Sequence, residues 1–206
     1  MKNLVLPMLT FMGLLLACNN AEQPIKQSVA KATFAANPQP VEEQKPTPLD
    51  IGTKAPNFKL PATDGNYYSL EDFKDAKALA IIFTCNHCPT AQAYEDRLIK
   101  VVADYKTKGA AFVAISPNSP LGLLYEELGY SDLNDDYEEM KIRVKDKGYN
   151  FPYLYDGDDQ AVSLQYGPVA TPHVFIFDQE RKLAYRGRLD KVENQAPPMR
   201  KIFERR

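Results

Sequence analysis

The sequence predicts an α/β domain in which a central mixed β-sheet is flanked by helices. Two apolar runs of strand length, Ala78 to Thr84 and Ala110 to Ser116, bracket a segment with helical spacing, so strand, helix and strand form a right-handed parallel crossover. A third run, Val169 to Phe177, is entered through Thr171-Pro172 and followed by a turn and an antiparallel partner. Where the first run hands over to its helix stands Thr84-Cys85-Asn86-His87-Cys88-Pro89, which puts two cysteines, two residues apart, at a helix start.

In chain order, the folded domain begins near Leu49. Ile51 to Leu60 reads as an extended entry with a short strand, and Asp64-Gly65 is a tight-turn signal ahead of Tyr67-Tyr68-Ser69. Leu70 to Phe73 makes one helical turn. Pro89 suits a first helical turn, after which Ala91, Tyr94, Leu98, Val101, Val102 and Tyr105 recur on one face until Gly109 stops the helix. Pro117 to Tyr130 is a loop with an apolar patch of Leu121, Leu123, Leu124 and Tyr125. Asp135 to Lys147 reads as a helix. Its acidic start and its Lys145 and Lys147 end suit the helix dipole, its charges form a solvated face, and Tyr137, Met140 and Val144 face the core. Phe151 to Tyr155 is a short strand, Gln160 to Tyr166 a short helix ended by Gly167, and Leu183 to Arg188 the antiparallel partner of the third run.

The whole chain has 206 residues and a net charge of -2, which bounds it to about one domain with tails and offers no signal for a nucleic-acid partner. Hydrophobic residues make up 44%, with 10 Phe and 12 Tyr, enough for one sizeable core. Lys2 followed by the apolar stretch Leu4 to Leu16 reads as a secretory signal too short to span a membrane comfortably. Its end, Leu15-Leu16-Ala17-Cys18, resembles a bacterial lipobox. That resemblance implies loss of residues 1–17 and lipidation of Cys18 as the new amino terminus, with several acyl chains giving stable anchoring. Asn19 after the cysteine points to the outer membrane, on its periplasmic side. Residues 18–48, rich in Ala, Gln, Pro, Glu and Lys, read as an extended disordered tether ahead of the domain at 49–190, and 191–206 form a Pro-broken tail.

Of three cysteines, the lipobox claims Cys18, leaving Cys85 and Cys88. A bridge over so short a loop constrains the unfolded chain little, so the pair is read as functional rather than structural. At a helix N-terminus, unpaired N–H groups and the dipole favour a thiolate. The spacing assigns attack to Cys85 and resolution to Cys88, expected to be less exposed. Asn86 and His87 lie between them as supporting residues. His87, as imidazolium or donor, is expected to stabilise the Cys85 thiolate and so favour the reduced form. His173 either approaches the same site or occupies the far face of its strand.

The order of these pieces resembles the thioredoxin fold, and more narrowly the redoxin or TlpA-like branch of membrane-anchored thiol-disulfide oxidoreductases, related to the peroxiredoxins (AhpC/TSA). The resemblance covers about Leu49 to Asp190 and rests on Ala55-Pro56-Asn57-Phe58, Phe83 to Pro89, and Thr171 to Asp178. It implies that Cys85 is the nucleophile, that Cys88 resolves, and that Pro172 is a cis-proline whose neighbour Thr171 offers its backbone to a partner chain. Two positions depart from thioredoxins: Thr84 replaces the Trp before the first cysteine, and Leu79 lies where a buried Asp would be, so protons must be handled differently. The usual C-terminal helix is also hard to find.

The expected activity is thiol-disulfide oxidoreduction with no cofactor beyond the Cys85–Cys88 disulfide and no bound metal. It implies protein thiol or disulfide substrates and, in an oxidising compartment, a membrane electron donor. Two alternatives stand beside it. A peroxiredoxin carries Pro-x-x-x-Thr/Ser-x-x-Cys, and counting back from Cys88 gives Ile81 and Cys85, from Cys85 Ala78 and Ile82, which do not match. A metallochaperone would hold Cu(I) or Zn(II) with the two cysteines and a histidine.

Overall fold

A computed structural model describes residues 46–124 and 133–190. They belong to the compact unit Glu43–Arg206; a second unit, Met1–Glu42, falls outside the described residues, and with it the signal segment, Cys18 and nearly all of the tether. The tail at 191–206 and Tyr125 of the loop patch fall outside them too.

A short hairpin of β1 (Lys59–Pro61) and β2 (Tyr67–Ser69) leads through a 3-10 turn at Leu70–Phe73 into the main sheet. The sheet is built from β3 (Ala78–Phe83), β4 (Ala110–Ser116), β5 (Tyr153–Tyr155), β6 (His173–Phe177) and β7 (Leu183–Gly187), ordered β5-β4-β3-β6-β7. β3 pairs parallel with β4 and β4 with β5, while β6 runs antiparallel to β3 and β7 to β6. The sheet is therefore mixed. The helices are α1 (Pro89–Lys106), α2 (Tyr137–Lys147) and α3 (Ala161–Tyr166).

Period-2 alternation sorts the central strands into two cores. Ala80, Ile82, Phe112, Ala114, Val174 and Ile176 face α1 and α2, meeting Tyr94, Leu98, Val102 and Met140. Leu79, Ile81, Phe83, Val113, Ile115, Phe175 and Phe177 face the other way, onto Phe58, Val162 and Tyr166. Every residue of β3 is buried because both faces are covered, which is why it reads as an unbroken apolar run. Leu79 is core on this second face. No described helix is long and apolar enough to cross a membrane.

Two helices differ from expectation. α2 starts at Tyr137, two residues later than the charge pattern suggests, because Asp136 is its N-cap and accepts from the N–H groups of Glu138 and Glu139 at 3.0 Å. Glu139 reaches back past the cap and accepts from the Asn134 N–H. Asp135 is thereby left outside the helix. On α1, the buried face includes Glu95, whose carboxylate accepts from Arg143 Nε at 2.6 Å and Nη2 at 2.9 Å and from the Tyr149 hydroxyl at 2.8 Å. Lys147 Nζ lies 3.4 Å from it.

Candidate active site

β3 and β4 end side by side, delivering Thr84 and Pro117, and antiparallel β6 begins beside them after Thr171-Pro172. Sites in open α/β sheets gather at such carboxyl ends. The Thr171–Pro172 peptide is cis. Thr171 Oγ1 lies 3.1 Å from Cys85 Sγ, and the Thr171 carbonyl lies 3.4 Å from Cys88 Sγ, whose S–H donates to it when protonated.

Both cysteines are free thiols, and their exposure runs opposite to the sequence expectation. Cys85 is 2% exposed, whereas Cys88 is half-buried. The cause is the turn between them. The N–H groups of Asn86 and His87 both donate to Asp135 Oδ1, at 2.7 and 3.1 Å, which pins the first half of the turn against the core. Cys88 is left at the mouth of α1 as its N-cap, with Pro89 at the first helical position.

Protonation follows the same division. A hydrogen bond shared with Cys88, together with burial and the nearby Asp135 charge, holds the Cys85 thiol far above the usual thiol range. That shared bond draws Cys88 well below it, helped by the Thr171 hydroxyl and the first-turn N–H groups of Ala91 and Thr90, and opposed by burial. Cys88 is therefore the more acidic sulfur of the pair and Cys85 the less acidic.

His87 directs its Nδ1 to a carboxylate rather than to a sulfur. Its Nδ1 lies 2.7 Å from Asp135 Oδ2, which also accepts from Asn118 Nδ2 at 2.7 Å. An ionised carboxylate only accepts, so Nδ1 carries the proton and Nε2 is left for the other side of the ring. Asn86 Nδ2 donates to the Asn134 carbonyl at 2.7 Å, and Gln92 Nε2 to the Asn86 carbonyl at 2.8 Å, completing the brace. His173 has a different place. It is buried, packs against Phe175 with the rings tilted by 46° and their centroids 4.5 Å apart, and accepts at Nδ1 from the Val169 N–H at 3.2 Å, while burial lowers its pKa. It braces the chain ahead of Thr171 as a neutral ring.

Asp135 is the site residue that the sequence reading assigned to a solvated helix face; it is 0% exposed. The signal that separates it is the capping pattern, Asp136 followed by Glu139, which puts the N-cap one residue after it. Asn118, on the loop after β4, carried no signal at all. Cys85, His87 and Asp135 do bring possible metal-donor atoms within 4.8 Å of one another. Each Asp135 oxygen already accepts two N–H groups, however, so an ion would have to displace His87 or Asn118 from it.

Comparison with known proteins places this arrangement. Residues 51–186 match the family model for the AhpC/TSA family. The chain belongs to that family. A Mycobacterium tuberculosis protein named among the peroxiredoxins is 30% identical over 121 residues, 58% of this chain and 65% of its own length, so this AhpC/TSA chain spans less than two thirds of that relative. The crystal structure of an uncharacterized conserved protein from Geobacillus kaustophilus is 40% identical, covers 72% of this chain and 75% of its own, and superposes with a TM-score of 0.62. The thioredoxin domain of a thiol-disulfide oxidoreductase from Bacteroides vulgatus, 21% identical and covering 67% of this chain and 88% of its own, gives a TM-score of 0.54. The AhpC/TSA domain described here thus has a thioredoxin-like fold, as the sequence predicts.

Proposed function

We propose that this chain is a thiol-disulfide oxidoreductase in which Cys88 attacks and Cys85 resolves, the reverse of the order the resemblance implies. The observation that carries this reading is the pairing of a half-exposed thiolate at the α1 N-cap with a fully enclosed thiol in contact with it. A substrate sulfur can reach only the first. Cys88 displaces one substrate sulfur and forms a mixed disulfide; Cys85 then attacks Cys88 Sγ, and the second substrate sulfur leaves as the internal disulfide closes. Two electrons pass from the cysteines to the substrate, and the chain needs no further cofactor.

The test is stoichiometric. Reduced protein mixed with a protein disulfide such as insulin should lose two hydrogens in its intact mass and release one substrate dithiol per chain. A chain that stays reduced contradicts the reading. Hydroperoxide reduction is a second reading, favoured by the relative named among the peroxiredoxins and by a thiolate at a helix N-cap. It would convert Cys88 to a sulfenic acid that Cys85 condenses into the same disulfide. Comparing the two oxidants at equal concentration separates them.

In this reading Cys18 is lipidated and holds the domain on the periplasmic side of a membrane, the outer membrane by the residue that follows it. Protein thiols or disulfides are the substrates, and a membrane thiol reductase restores the dithiol. Cu(I) or Zn(II) delivery is less well supported, since both Asp135 oxygens and His87 Nδ1 are already engaged.

A further inference from the structure

The resolving step poses a proton problem. Cys85 must lose its proton to attack, yet it is enclosed, and the carboxylate expected under such a site is replaced by Leu79, a core residue. The polar group that lies near it instead is the Asp135–His87 pair, with donor atoms of all three residues within 4.8 Å of one another. One water spans such a gap. The pair is also built to move a proton outward. Asp135 is fully buried and held by N–H groups of Asn86, His87 and Asn118, while the His87 side chain is 15% exposed and lines a cavity of about 500 Å³ beside Thr171. His87 is the only titratable group among that cavity's described lining residues, the rest being apolar, backbone or neutral polar groups such as Asn118, Gln160 and Ser163. The titratable groups that the structure brings beside its ring are Asp135 and Cys85.

We propose that His87, oriented by Asp135, accepts the proton of Cys85 in the resolving step and delivers it through Nε2 to the substrate sulfur that leaves into the cavity. The inference rests on Cys88 being the attacking residue. The balance is closed: the reduced chain holds one thiolate and one thiol, so disulfide substrate plus one proton from solvent gives the internal Cys85–Cys88 disulfide and two substrate thiols. One product proton comes from solvent and the other from Cys85. His87 touches the leaving sulfur; Asp135 acts through it and is a positioning residue.

The test uses the reduced full chain carrying Cys18→Ser, so that only Cys85 and Cys88 react, and 5,5′-dithiobis(2-nitrobenzoate), whose coloured thiolate leaves unprotonated and so isolates removal of the Cys85 proton. The first equivalent reports attack and the second reports resolution. His87→Gln should slow the second release on the order of 100-fold, the usual weight of a general base, and far more than the first, and Asp135→Asn should shift the balance between the two releases in the same direction. In both variants the second rate should climb in proportion to hydroxide, whereas the wild-type rate depends on pH far less steeply. Because Asp135 also holds backbone N–H groups, His87→Gln carries the test alone if Asp135→Asn fails to fold. An unchanged second release, or equal slowing of both releases, overturns the proposal. The two failures are distinguishable: if Cys88→Ser still gives the first release, the assignment of the attacking residue falls, and this inference with it.

Discussion

Replacing Cys88 with Ser is expected to abolish disulfide reduction, with turnover falling on the order of 1,000-fold or more, because a serine hydroxyl at the α1 N-cap stays protonated and is a poor nucleophile toward sulfur. Replacing Cys85 with Ser is expected to stop the reaction half-way. Cys88 keeps its N–H donors from Ala91 and Thr90, so attack proceeds, but nothing closes the internal disulfide and the mixed disulfide accumulates. Intact mass after mixing with a disulfide substrate reads both results. An adduct on Cys85→Ser and none on Cys88→Ser is the expected pair; the opposite pair would restore the order in which the first cysteine attacks.

The second large effect is on stability. Glu95 is 3% exposed and meets the Arg143 fork, Lys147 and the Tyr149 hydroxyl, so it ties α1 to α2 and to the chain after it. Glu95→Ala leaves Arg143, itself largely covered, without its partner. Removing one member of a buried ion pair costs about 3–5 kcal/mol, a large part of the roughly 5–15 kcal/mol that holds a domain of this size folded. Urea unfolding should show that loss as a lower midpoint, shifted by the free-energy change divided by an unchanged m. Adding Arg143→Met to Glu95→Ala should recover part of the loss, since the penalty is mostly an uncompensated charge. A single-variant loss under about 1 kcal/mol would mean that solvent already screens the pair.

These two predictions draw on what the sequence showed and what it hid. The central sheet was legible because β3, β4 and β6 are apolar runs of strand length, and α1 because its apolar residues keep one face. The two cysteines and Thr171-Pro172 were legible because each stands at a strand end. Glu95 was not, since a carboxylate on a helical stripe reads as solvent-facing until Arg143, from a helix 48 residues away in sequence, is seen to meet it. Asp135 was hidden for a related reason: two carboxylates in a row, Asp135-Asp136, read as one helix start, although only the second caps and the first turns inward. The exposure of the cysteines followed from Asp135. Spacing alone gives their order along the chain, but the carboxylate that pins the N–H groups of Asn86 and His87 decides which sulfur faces solvent.

The measurement that tests the account most directly is alkylation of the reduced protein by iodoacetamide, with the labelled peptide identified by mass spectrometry between about pH 5.5 and pH 8. An ordinary thiol, with a pKa near 8.5, is only about 0.1% thiolate at the lower end. The account predicts that Cys88 is labelled first throughout, at a rate that hardly changes across the range, because its pKa lies below the range and it stays ionised. Labelling of Cys85 first, or a Cys88 rate that climbs about tenfold per pH unit as an ordinary thiol's does, would contradict it.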